Sequence, residues 1–285
     1  MAFQARKTRE RKRPDPVGQG KPLTPSAPIR IWYQNQMWSV VKPMLEDYRT
    51  TIKAALEDPE VARFYAMDDT STILQRTLNA LNKKWSDIFR GFAAQLSPKF
   101  VAKVDAQSKS STWYSLSAAG VEQPRQAYTE SVANTLQSSV DFNHTLITKI
   151  QEDVHEELYN SIMLSLTSPN PEEQGMSGIQ NALNKVGITS KKRVDLIARD
   201  QNSKVYTSLA TERMRQNGVE YFEWMHSSAG KVPRQTHVDK DGMVFQVDDP
   251  RLWTGPKADQ GPPGWAINCR CRMKPLIGYN PEDDE

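Results

Sequence analysis

The chain has 285 residues, 38% hydrophobic and 25% charged, with two cysteines. It is long enough to bury one or two cores and is not a disulfide-stapled secreted scaffold. The net charge of +3 is uneven: residues 1–30 carry eight Lys/Arg against two acids, a net +6, which leaves −3 for the remainder. The body is therefore not a basic nucleic-acid binder. Charges also occupy the N-terminus where a signal peptide needs an apolar core, and no run reaches the roughly 18 apolar residues of a membrane span, so a soluble protein made in a reducing cytoplasm is expected.

Residues 1–30 read as a basic, Pro-rich disordered arm. Prolines at 14, 16, 22, 25 and 28 oppose a continuous helix, and little apolar material offsets the entropy of ordering. Arg6, Lys7, Arg9, Arg11, Lys12 and Arg13 suit phosphate oxygens or an acidic protein surface; a solvated tail that docks on nothing has the same composition.

Residues 31–170 read as helical. A first helix over 31–57 is predicted to kink at Pro43, and Asp58 with Pro59 to form a turn or a new start. A second helix begins at Thr70 or Ser71. Leu74, Leu78, Leu81, Trp85, Ile88 and Phe92 follow at steps of three and four, and Ser97 with Pro98 is predicted to end it. A third runs from Arg125 to Leu166, with Val132, Leu136, Val140, Asn143, Ile147, Ile150, Val154, Leu158 and Ile162 on one stripe. The second and third helices are expected to pack as an antiparallel pair.

A change of architecture follows. Residues 21–174 hold two glycines, whereas 175–285 hold ten. After a break at Ser168 to Pro171, a short helix from Glu172 to Val186 is predicted to stop at Gly187. Thr189 or Ser190 then caps another over 190–216, and Gly218 stops it. Val219 to Met225 reads as a strand. Asp241 and Gly242 read as a hairpin turn into a second strand over Met243 to Val247, and Asp249 to Pro263 as an irregular loop. A third strand is expected within Trp265 to Leu276, carrying Asn268 to Arg272.

On a strand, Cys269 and Cys271 project from one face. With His237 arriving from another segment they suit a soft ion such as zinc, with His226 or Asp239 as a fourth ligand. Two small buried hydrophobes beside a hydrogen-bonded histidine account for the same residues.

The run from Arg199 to Pro275 resembles the C-terminal domain of phage Mu F-like minor capsid, or head morphogenesis, proteins. The matching elements are Arg199 on a helix, Trp224 closing a strand, and Arg234, His237 and Gly242 in R-x-x-H-x-x-x-x-G. Phe245 with Asp248, Asp249 and Pro250 follows, and then Pro263, Gly264, Trp265, Asn268, Cys269, Arg270 and Cys271. Relatives carry a fuller cysteine set. The thinner set here implies either a structural zinc on His237, Cys269 and Cys271 or a polar cluster of Arg199, Arg234, Asp241 and Asn268 holding the loops together.

The fold expected is α+β: a basic arm (1–30), a long helical region (31–170), a small domain with a short antiparallel sheet (171–277) and an acidic tail (278–285). The resemblance implies a virion protein of a tailed phage, made in the host cytoplasm and acting in head assembly or in DNA packaging and delivery. Its expected partners are the portal protein, the major capsid or scaffold protein, and packaged DNA through the arm. With no P-loop, nucleophile elbow or H-E-x-x-H, no enzymatic activity is expected. The alternatives are a metal-dependent nuclease or toxin-like enzyme using His237 with Asp239 or Asp241, and a DNA-binding accessory protein acting through the arm.

Overall fold

The computed structural model describes residues 18–57, 70–170, 174–228 and 233–284. Four long helices make the body: α1 (Ala27–Glu57), α2 (Thr70–Ala118), α3 (Glu130–Thr167) and α4 (Gly175–Gln216). Side-chain links fix their directions. Asp47 meets Lys84 and Trp85 while Tyr33 stacks on Phe100, so α1 and α2 run opposite ways. Gln75 reaches Tyr159 and Gln151 reaches Asn82, so α2 and α3 do too. Asn143 bonds Gln201 and Glu157 pairs with Lys185, which reverses the chain again into α4. The result is an up-down-up-down bundle, with the expected antiparallel pair inside it.

Most of each predicted stripe becomes the core, but Ile88 is 40% exposed and Phe89 is buried instead. Leu74, Leu78, Leu81 and Trp85 of α2 are buried, as are Val132, Ile147, Ile150, Val154, Leu158 and Ile162 of α3. Each such side chain stabilises the fold by about 1.5–3 kcal/mol relative to exposure.

Three predicted helix boundaries are corrected. First, α2 does not end at Ser97 and Pro98 but runs on to Ala118. Leu96, Phe100, Val101 and Val104 continue the buried stripe through the proline, and their burial outweighs its cost of about 3 kcal/mol. Second, the two short helices predicted on either side of Gly187 are one helix, α4. Gly187 keeps a right-handed backbone, and Ile179, Leu183, Val186, Val194 and Ile197 form one buried line across it. Third, α1 starts at Ala27 rather than Ile31. Pro28 sits in the first turn, where no N–H is needed, and Ser26 Oγ accepts from the Ile29 amide. Pro43 also lies within α1.

The predicted arm over 1–30 is corrected from residue 18 onward. Gly18–Gln19 forms β1 and pairs with the last strand, β4 (Arg272–Ile277). Leu23, 3% exposed, bridges Met273. Carbonyls along this strap are held by Ser115 and Gln107 of α2 and by Asn202 of α4. The basic run from Arg6 to Arg13 lies outside the described residues, as does the turn expected at Asp58 and Pro59.

The C-terminal part adds β2 (Tyr221–Met225), a one-turn helix α5 (Gln235–Asp239) and β3 (Val244–Gln246). The sheet is antiparallel, in the order β1-β4-β2-β3, with Phe222 opposite Phe245 and Trp224 opposite Met273. Alternation along β2 buries Phe222 and Trp224 and leaves Tyr221, Glu223 and Met225 half-covered. The sheet's inner face joins the bundle core in one continuous apolar cluster through Val219, Met214 and Met273.

Two turn assignments also change. Asp241 and Gly242 do not make a tight hairpin, because α5 and its loops separate β2 from β3; Gly242, at φ 76°, ends α5 and donates to the Trp224 carbonyl. The third strand begins at Arg272, after both cysteines. Asn268 holds a left-handed φ of 61°, which breaks the extended backbone; Asn tolerates that conformation better than most residues. The acidic end also touches the fold, with Tyr279 edge-on to Tyr221.

Candidate metal centre

Two segments remote in sequence make the site. The first is α5, which opens after Arg234 and turns His237 inward until it is 3% exposed. The second is the turn from Gly261 to Cys271. It lies so close against α4 that a Cβ at Gly264 would sit 2.7 Å from Thr207 Oγ1 and 2.9 Å from Ser203 Oγ. Thr207 Oγ1 in turn donates to the Pro263 carbonyl at 3.0 Å. With φ at 88°, residue 264 has both a conformational and a steric reason to be glycine.

The two segments meet at His237. Its Nδ1 lies 3.5 Å from Cys269 Sγ and 3.7 Å from Cys271 Sγ, and all three ligand atoms fall within 4.8 Å of one another. Its Nε2 lies 3.2 Å from the Asp259 carbonyl oxygen. A carbonyl only accepts, so Nε2 carries the hydrogen, and in the neutral ring Nδ1 turns its lone pair to the sulfurs. Trp224 packs edge-on against the imidazole at 5.1 Å between centroids. Both thiols are free and buried.

The sulfurs are electrostatically unlike. Cys269 is pulled below the ordinary thiol range by the hydrogen bond from Cys271, and the Gly264 amide, 3.3 Å away, adds to this against the cost of burial. The same contact pushes Cys271 up, as do burial and the charge on Cys269; the Ser227 amide acts in the other direction.

Asp259 organises the surroundings and has no motif to mark it. Its carboxylate pairs with Arg234 Nε at 2.8 Å and accepts from Thr236 Oγ1 at 2.8 Å, while its carbonyl takes His237. Arg234 also donates to the Ile267 carbonyl, so it ties the histidine loop to the cysteine loop. The rest of the expected polar cluster is not assembled. Arg199 bonds Asp195 one turn earlier on α4, Asp241 accepts from the His226 amide, and Asn268 is an exposed turn residue. Neither expected fourth ligand joins the histidine and the thiols: His226 Nδ1 accepts from the Ser228 amide and Asp239 from Gln235. A cleft of about 1000 Å³ lies elsewhere, between α3, α4 and the loop carrying Leu252, Trp253 and Trp265.

The chain is thus a helical bundle closed by a small sheet domain whose loops converge on one histidine and two cysteines. Residues 150–274 match the model of the family described as Phage Mu protein F like protein. The match takes in the second half of α3, all of α4 and the sheet domain as far as Lys274, and it includes every residue of the C-terminal motif. An uncharacterized protein of Haemophilus influenzae is 28% identical over 272 residues, covering 91% of this chain and 56% of its own length. The chain therefore spans little more than half of that relative. No solved structure matches the chain.

Proposed function

We propose that this protein is a minor component of a tailed-phage head, acting in head morphogenesis and seated at the portal vertex. The observation that carries this reading is the family match over residues 150–274, which contains the ordered motif from Arg199 to Cys271. The helical body suits a spacer: α2 alone has 49 residues, about 74 Å at 1.5 Å per residue. No described helix is long and apolar enough to cross a membrane. The role is structural rather than catalytic. His237 is enclosed, and the carboxylates proposed to assist it, Asp239 and Asp241, are engaged with Gln235 and with the His226 amide.

The test is quantitative mass spectrometry of purified virions, with co-sedimentation against isolated portal rings. The expected result is a copy number far below that of the major capsid protein and retention by the portal. Virions that lack the protein, together with normal filled heads after deletion of its gene, overturn the assignment.

A further inference from the structure

We propose that Nδ1 of His237 and Sγ of Cys269 and Cys271 hold a soft divalent ion, zinc by its fit, that fastens the α5 loop to the loop before β4. The inference rests on the geometry of the cluster and is independent of the head assignment.

Distance is the first argument. Zinc–sulfur bonds of about 2.3 Å and zinc–nitrogen bonds of about 2.0–2.1 Å at tetrahedral angles separate N from S by about 3.6 Å and S from S by about 3.8 Å. The two N···S separations are 3.5 and 3.7 Å, and the whole set lies within 4.8 Å. Hydrogen bonding alone explains this less well: a ring nitrogen with one lone pair has no use for two sulfurs at nearly equal distance.

The shell around the donors is the second. A metal-bound imidazole characteristically donates its other N–H to a carbonyl or carboxylate, which fixes the ring. The Asp259 carbonyl receives Nε2 here, and Arg234 and Thr236 hold Asp259 in place. The Gly264 amide donates to Cys269 Sγ. The Trp224 indole nitrogen is buried with no hydrogen-bond partner, beside the cluster. A metal-bound thiolate at Cys271 supplies electron density for that N–H, whereas a neutral thiol is a weak acceptor.

Charge is the third. Two thiolates and a neutral imidazole around a divalent ion sum to zero, the condition under which burial is tolerable. Sulfur donors select against magnesium and calcium. Three protein donors leave the fourth corner to a water or another small ligand.

The test uses the untagged full chain. Elemental mass spectrometry after zinc incubation and gel filtration should find one zinc per chain. Cobalt substitution should give a sulfur-to-cobalt charge-transfer band, and both thiols should resist alkylation until a chelator is added. Cys269→Ser and Cys271→Ser should lose the ion while His226→Gln keeps it. Because the cysteine variants are at risk of misfolding, Trp224→Phe is the second probe. It retains an aromatic ring, removes the N–H, and should weaken zinc about 10–100-fold without changing the stoichiometry. A folded chain with no stoichiometric zinc, no charge-transfer band and thiols indifferent to chelator overturns the proposal. An unchanged zinc affinity in Trp224→Phe overturns the part assigned to the indole.

Discussion

Arg213 and Asp105 are charged side chains only 3% and 9% exposed, joined at 2.5 Å across α2 and α4. Ser108 Oγ accepts a second guanidinium bond, and Tyr128 Oη donates to the other carboxylate oxygen. Few alternative partners are at hand at such burial, so removing one member strands the other. Asp105→Ala is expected to cost about 3–5 kcal/mol, read as a lower urea midpoint at unchanged slope. A loss below 1 kcal/mol would mean that water reaches Arg213. This pairing was not legible in the sequence, because 108 residues separate its members and neither sits in a motif. Asn143 was half legible. Its place in an apolar stripe marks it as buried, but its partners Tyr33 and Gln201 are known only from the packing. His237 and the two cysteines are legible from residue type and spacing, but the geometry that brings the thiols together is not. They converge through a turn with a left-handed Asn268, not through strand alternation. Asp259 was invisible, since its contribution runs partly through a backbone carbonyl that any residue has.

At the level of elements, the long periodic helices were readable and their ends were not. Glycine and proline are local signals, and both Gly187 and Pro98 were overruled by burial on either side of them. That ordering of effects makes Gly187 a test site. Its backbone is helical, and an added Cβ would find no heavy atom within 4 Å. Gly187→Ala should therefore stabilise the protein by about 1 kcal/mol and raise Tm by roughly 2–4 °C in a thermal scan. A fall in Tm would show that residue 187 serves as a hinge rather than as one more position in α4. The sheet was harder to read than the helices for a physical reason. Its strands are only two to six residues long, and the edge strand β1 comes from the far end of the chain.

For the molecule as a whole, the meeting of β1 with β4 divides the predicted arm in two. Residues 18–26 strap the sheet to α2 and α4, whereas 1–17 hold six of the eight basic residues and both acids of the first thirty, a net +4. Deletions ending at 17 and at 30 should therefore have different consequences. Removing 1–17 should weaken binding to duplex DNA, measured by fluorescence anisotropy. If all six basic residues engage phosphates, the intact chain should lose about 10³ in affinity between 50 and 200 mM salt, and the truncated chain should be much flatter. Removing 1–30 takes away the same charges together with β1, Leu23 and the Ser26 cap of α1, so Tm should fall as well. Equal DNA binding by the full chain and the 1–17 deletion would sink the arm as a nucleic-acid contact. The six charges would then be free to meet an acidic protein surface, and the same truncation, tested for retention on isolated portal rings, reports on that.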